Sequence, residues 1–153
     1  MKIKHASFEK SSSEISNCPN SAFFEIAFIG RSNVGKSSLL NMLLNKKSIA
    51  KVSKIPGKTK LINYFLVNND MYFVDLPGYG YAKVDKSLKK NWERTLLDFM
   101  LNREMLVASL MITDCRRPLT HIDGIMLDIL LEKKIPYHVL LNKSDKLNNS
   151  EKI

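Results

Sequence analysis

Apolar positions along this chain recur in two rhythms. Residues 23–29 form a nearly unbroken aromatic and branched run stopped by Gly30, which predicts a short buried strand. Over 36–47 the spacing changes, and Leu39, Leu40, Leu43 and Leu44 fall on one side of a helix. Two more strand-like runs, 61–67 and 71–74, flank Asn68-Asn69-Asp70, a connection tight enough to make the pair antiparallel. Residues 86–104 place Leu88, Trp92, Leu96, Phe99 and Met100 at helical spacing, so this stripe, Trp92 included, reads as the core side of an amphipathic helix. A strand over 107–113, a helix over 122–133 with Thr120 as its N-cap and a strand over 137–141 complete the pattern. Strands alternating with helices predict an α/β sheet with both faces covered.

Two stretches break the rhythm. Residues 6–22 are Ser-rich and polar, ending in Cys18-Pro19-Asn20-Ser21, and predict an irregular leader over 1–22 before one domain over 23–153. Residues 48–60 are basic and contain Pro56-Gly57, which predicts a loop. With 153 residues, 44% hydrophobic and 25% charged, the composition excludes disorder and is sufficient for a single core. Cys18 and Cys115 are the only cysteines; neither a disulfide scaffold nor a metal site has that spacing, so both read as small hydrophobes in a reducing compartment. His5, His121 and His138 are equally scattered. No apolar run reaches the roughly 18 residues of a membrane span, so a cytoplasmic protein with no membrane partner is expected. The net charge of +9 is concentrated. Between positions 26 and 69 lie Arg31, Lys36, Lys46, Lys47, Lys51, Lys54, Lys58 and Lys60 and no acidic residue, a surface suited to phosphate.

Three motifs turn that charge into chemistry. Gly30-Arg31-Ser32-Asn33-Val34-Gly35-Lys36-Ser37 matches the phosphate loop G-x-x-x-x-G-K-[ST], whose glycines let backbone N–H groups curl around phosphates. Lys36 offers a point charge to the β- and γ-phosphates, and the Ser37 hydroxyl is a hard ligand for Mg2+. The motif lies after a strand and before a helix, as its mechanism requires. Asp75-Leu76-Pro77-Gly78 ends a predicted strand at the edge where open α/β sheets bind ligands. There Asp75 can hold Mg2+ through water, and the Gly78 N–H can reach a γ-phosphate. Asn142-Lys143-Ser144-Asp145 closes the last strand. Guanine presents two adjacent donors, N1–H and the N2 amine, that one carboxylate accepts together, whereas adenine has an acceptor at N1. Asp145 is therefore a guanine reader, with Asn142 bracing the loop and the Lys143 stem over the ring. Their order favours GTP over ATP.

These residues carry a family resemblance. Gly30 through Ser38, Pro56-Gly57-Lys58-Thr59, Asp75-Leu76-Pro77-Gly78-Tyr79-Gly80-Tyr81-Ala82-Lys83 and Asn142-Lys143-Ser144-Asp145 resemble the translation-factor class of GTPases (TrmE-Era-EngA-EngB-septin-like). Within it they are similar to the EngB (YihA/YsxC) branch of ribosome-assembly GTPases, the Tyr-containing third motif being the branch-specific part. The resemblance implies a P-loop NTPase G domain, three-layer α/β/α with a mostly parallel central sheet and one antiparallel strand. It implies a monomeric enzyme that binds GTP and GDP with Mg2+ at Ser37, Thr59 and Asp75, hydrolyses GTP slowly with Lys36, Thr59 and Gly78 at the reacting phosphates, and assists assembly of the large ribosomal subunit. Residues 48–60 would be the first switch and 79–83 the second.

Four finer expectations follow. Tyr79 stands where Ras-like enzymes carry a water-orienting glutamine, and a phenol places water poorly. Asn33 matches the position at which potassium-dependent relatives bind K+; the other reading is that it only stabilises the loop. Lys46, Lys47, Lys51 and Lys54 exceed what one nucleotide can use, which favours ribosomal RNA over simple solvation; Arg116-Arg117 read as solvated surface. Relatives continue beyond the Asn142 motif with another base-contacting loop, a strand and a final helix, so a C-terminally incomplete domain with an exposed last strand is expected. A non-catalytic guanine-binding module, and less so a P-loop ATPase or kinase, stand as alternatives.

Overall fold

Six strands build the molecule, in the spatial order β1-β3-β4-β2-β5-β6. The computed structural model describes residues 2–50, 61–80, 86–117 and 119–148, with the backbone alone over 86–93. In chain order the elements are β1 (Ala6–Ser12), β2 (Phe24–Gly30), α1 (Lys36–Leu43), β3 (Ile62–Val67), β4 (Met71–Asp75), α2 (Lys86–Asn102), β5 (Leu106–Asp114), α3 (His121–Glu132) and β6 (Tyr137–Asn142). Strands β4, β2, β5 and β6 pair in parallel, while β3 pairs antiparallel with both β1 and β4. One strand thus runs against the other five, as the predicted fold class requires.

Alternation along the strands sorts the core into two layers. Ala27 and Ile29 of β2, Tyr64 of β3 and Met111 of β5 face one side, where Leu96, Phe99 and Met100 of α2 and Met126 and Leu130 of α3 cover them. Phe28, Phe65 and Ile112, one position along each strand, face the other side with Leu40 of α1 and Leu44 just beyond it. This period of two, with helices on both faces, is how a mostly parallel sheet removes its surfaces from water. The side chains of Leu88 and Trp92 lie outside the described residues.

The irregular leader expected over 1–22 is corrected by β1, which pairs with β3 from Ala6↔Val67 to Ser12↔Ile62 across an irregularity between Phe8 and Lys10. Its ends, Ala6 and Ser12, are buried and its middle is exposed. Such a strand needs only sparse hydrophobicity, because it covers an edge and turns most of its side chains to solvent. Phe8 packs edge-on against Phe65 at 6.0 Å. The turn between β3 and β4 holds β1 in place: Asn68 Oδ1 accepts from the backbone N–H of Lys4 at 2.8 Å and of His5 at 3.2 Å, and Asn68 Nδ2 donates to the Lys2 carbonyl at 3.0 Å. Asn68 and Asn69 both have positive φ, a conformation that asparagine tolerates in tight hairpin turns.

A buried ion pair closes the far end of the sheet. Glu25 is fully buried and receives Arg103 Nε at 3.0 Å and Nη2 at 2.6 Å, while the same Nη2 donates to the Pro19 carbonyl at 2.6 Å. Burial pushes the Glu25 carboxyl above its ordinary value, against the opposing pull of Arg103.

Candidate functional site

Gly30, Asp75, Asp114 and Asn142 are the last residues of β2, β4, β5 and β6, so four parallel strands deliver them to one sheet edge. Ligands of open α/β sheets bind outside these carboxyl ends. The phosphate loop bridges β2 and α1, and its two glycines are demanded by the packing. Gly30 has a φ of 154° and a Cβ there would collide with the Ile112 carbonyl of β5; Gly35 has a φ of 101° and a Cβ would collide with Nδ2 of Asn142. Gly35 caps α1, whose free N–H groups and positive dipole end suit an anion.

Inside this curve, Lys36 Nζ pairs with Asp75 Oδ1. Both side chains are almost wholly buried, at 7% and 3% exposure. The lysine of the phosphate loop and the carboxylate that ends β4 are therefore neighbours. Ser37 and Ser38 follow in the first turn of α1, and Leu76 and Pro77 lead from β4 to Gly78, which packs closely enough that a Cβ would lie 3.1 Å from Ser32 Oγ. Pro56, Gly57, Lys58, Thr59 and Tyr81 to Lys83 lie outside the described residues, as do Lys51, Lys54 and Lys60. The described start of the basic segment over 48–60 is anchored: Asn41 Nδ2 donates to the Ala50 carbonyl at 2.9 Å and Asn41 Oδ1 accepts its N–H at 2.7 Å.

The third motif is tied directly to the phosphate loop. Asn142 Nδ2 donates to the Val34 carbonyl at 2.7 Å. Lys143 Nζ donates to the Asn33 carbonyl at 2.5 Å and sits 3.1 Å from Asp114 Oδ2. Asn33 and Lys143 both adopt left-handed backbone with φ of 66°, which turns these loops toward each other. Ser144 and Asp145 begin a short 3-10 turn, and the Asp145 side chain is 70% exposed, with Lys146 Nζ at 3.2 Å. Its carboxylate is thus open to a ligand beside the phosphate loop.

Two groups were not anticipated. Asp114 accepts both arms of Arg116, Nε at 2.9 Å and Nη2 at 2.6 Å, as well as facing Lys143. The Arg116 guanidinium, joined by Lys143, holds its carboxyl well below the usual range. A carboxylate at the carboxyl end of a parallel strand was the signal that could have drawn attention to it. Arg31, Ser32, Asn33, Asp114, Arg116 and Lys143 are among the residues lining a cavity of about 450 Å³ beside the phosphate loop. The other unanticipated group is Asp123, the third residue of α3, which accepts the Tyr79 hydroxyl at 2.8 Å. Tyr79 is buried, and burial, with Asp123 beside it, pushes its phenol well above its ordinary pKa. Thr120-His121-Ile122-Asp123 does have capping-box spacing, and both reciprocal bonds of that box form.

Comparison with known proteins agrees with this geometry. The family described as 50S ribosome-binding GTPase matches residues 25–143. The probable GTP-binding protein EngB of Christiangramia forsetii is 50% identical over 147 residues, covering 96% of this chain and 74% of that protein. Among solved structures, a probable GTP-binding protein EngB superposes with a TM-score of 0.68 at 28% identity, over 82% of this chain and 73% of the other. NFeoB from S. thermophilus, bound to GDP·AlF4- and K+, gives a TM-score of 0.62 at 27% identity, over 86% of this chain and 48% of the other. The chain belongs to the EngB family of GTP-binding proteins, within the broader family described as 50S ribosome-binding GTPases.

Proposed function

We propose that this chain is a GTP-hydrolysing switch that acts at the large ribosomal subunit. The observation that carries the guanine part is the pair of hydrogen bonds from Asn142 and Lys143 to the carbonyls of Val34 and Asn33. They join base-reading and phosphate-binding loops into one surface with Asp145 exposed beside it, so one nucleotide can touch both. In this reading the phosphate loop from Gly30 to Ser38 cradles the phosphates, Lys36 offsets their charge, and Gly78 offers its N–H to the γ-phosphate. Pro56 to Thr59 would complete the site from the first switch.

Mg2+ fits the donors present. The Ser37 hydroxyl and the Asp75 carboxylate are hard oxygen groups, the kind this ion prefers when substrate phosphates supply the rest. When bound it would neutralise charge on the β- and γ-phosphate oxygens. K+ at Asn33 is supported by the K+ in the NFeoB neighbour and by the left-handed turn that Asn33 makes in the loop. Slow intrinsic hydrolysis is supported by the Tyr79 phenol, whose hydroxyl is spent on Asp123 and cannot orient the attacking water. Exposed Lys46 and Lys47 just past the C-terminal end of α1, with the printed description of the matching family, support a ribosomal RNA partner. Among the described residues no helix is long and apolar enough to cross a membrane, which supports action in the cytoplasm.

The test is a titration with fluorescent GDP in Mg2+ buffer, with ADP as competitor and Asp145→Asn alongside. Binding that excess ADP leaves intact and that Asp145→Asn weakens supports the guanine reading; displacement by ADP, or no binding by the folded chain, refutes it. For the partner, replacing Lys46, Lys47, Lys51 and Lys54 by Ala should weaken large-subunit binding and flatten its salt dependence.

A further inference from the structure

The Asp123 carboxylate is completely buried and serves three partners where a helix cap needs one. On Oδ2 it accepts the Thr120 N–H at 2.8 Å and the Thr120 hydroxyl at 2.7 Å, which completes the cap of α3. On Oδ1 it accepts the Tyr79 hydroxyl at 2.8 Å, and Arg31 Nε lies 3.7 Å from Oδ2. Neither of these last two contacts is required by the helix. Both come from residues placed directly after a phosphate-site glycine, Arg31 after Gly30 and Tyr79 after Gly78.

The two backbones are also joined. Arg31 and Tyr79 form an isolated parallel bridge, in which Ser32 N–H donates to the Tyr79 carbonyl at 3.0 Å and Tyr79 N–H to the Gly30 carbonyl at 3.4 Å. Ser32 Oγ adds a bond to the Gly78 carbonyl at 3.4 Å. Gly78 is pressed so close that a Cβ would lie 3.2 Å from Ser32 Cα. The side chains of both bridged residues converge on one carboxylate. The charge is compensated by the Arg31 guanidinium, and the buried phenol remains a hydrogen-bond donor because burial and the carboxylate disfavour its ionisation.

We propose that Asp123 is a positioning residue for γ-phosphate recognition: through Tyr79 and Arg31 it holds the Gly78 main chain against the phosphate loop. The inference rests on the guanine-nucleotide reading above and deepens it. GDP has no γ-phosphate for Gly78 to meet, so loosening Gly78 costs GTP affinity and leaves GDP affinity intact. A ligand senses a change only through groups that it touches differently.

The experiment measures dissociation constants of the full chain for GDP and for a non-hydrolysable GTP analogue. Tyr79→Phe removes one hydroxyl and no packing; Asp123→Asn removes the charge; Leu130→Ala destabilises the same helix from its buried end without touching the network. Tyr79→Phe and Asp123→Asn should each lower the GTP-analogue to GDP affinity ratio by roughly tenfold to a hundredfold, the scale of a lost hydrogen bond to a charged group, with GDP affinity nearly unchanged. Leu130→Ala should leave the ratio at the wild-type value. An unchanged ratio in Tyr79→Phe and Asp123→Asn, or an equal loss in Leu130→Ala, would show that Asp123 is only a helix cap and would overturn the proposal. Wild-type protein that binds neither nucleotide would overturn the guanine reading and this role with it.

Discussion

Gly35→Ala would bring two separable costs to one atom. Gly35 caps α1 with a φ of 101°, a backbone region that strains an L side chain by about 1–3 kcal/mol. The new Cβ would also meet Nδ2 of Asn142, the atom that donates to the Val34 carbonyl at 2.7 Å. Moving it away forfeits that bond, a further cost of about 1 kcal/mol for a neutral pair. The total loss is about 2–4 kcal/mol, opposite in sign to the gain of up to about 1 kcal/mol that the same substitution gives where alanine fits the backbone. For a domain of this size that is a fall in Tm of roughly 5–15 °C.

Urea unfolding of four proteins resolves the two costs. Asn142→Ala removes the atom that the new Cβ would strike, so Gly35→Ala in that background should cost about 1 kcal/mol less than in the wild type, with unchanged m. A loss in the wild-type background below about 0.5 kcal/mol, the range of neutral surface changes, would refute the claim that the loop enforces this φ. Equal losses in both backgrounds would refute the collision. The second result would also undo the reading that the Asn142 motif is packed tightly against the phosphate loop.

Removing the guanidinium of Arg103 by Arg103→Met should destabilise the chain by about 3–5 kcal/mol, because the fully buried Glu25 loses its partner; Glu25→Gln should restore part of the loss, and urea denaturation measures both. Asp114 is held well below 3.8, its ordinary value, so its pairing contributes fully above that pH and fades as pH falls through the lowered value. The stability difference between wild type and Asp114→Asn should accordingly be flat near neutrality and shrink on acidification below about pH 4, as read by urea midpoints across pH. If Asn33 binds K+, phosphate release from GTP should be faster in KCl than in NaCl of equal strength, and Asn33→Ala should abolish the difference; equal rates in the wild type would remove the idea.

Much of the sheet was legible because each strand carries its own pattern. The runs at 23–29, 61–67 and 107–113 alternate or saturate with branched and aromatic residues, and β2, β3 and β5 form there. Strand boundaries moved by a residue at either end, while α1 stops at Leu43, four residues short of the expected 47. The phosphate, Asp75 and Asn142 motifs were legible for a different reason: each sets glycine or polar residues at the end of such a run, and parallel pairing of β4, β2, β5 and β6 carries all those ends to one edge. By contrast, β1 had no readable pattern. Its stability comes from an edge offered by β3 and from the Asn68 side chain, 64 residues from the Lys4 N–H it accepts, and neither is written in Ala6 to Ser12.

The polar interior was the least legible part, for a physical reason. A buried carboxylate is tolerable only where its partners are, and sequence shows the carboxylate without the partners. In the sequence Asp123 carries no reading, Tyr79 looks like a displaced glutamine and Arg31 is one more basic residue of the phosphate loop. Only folding shows that a cap on α3, a residue after β4 and a residue after β2 meet at one carboxylate. Position alone does not show where the Tyr79 side chain is held. The residue that follows Gly78 turns inward and is held there by Asp123. If Asp123 fixes Gly78 as proposed, the Tyr79 hydroxyl is committed to that carboxylate, and the water-orienting role that glutamine fills in Ras-like enzymes has to come from another group or from a bound partner.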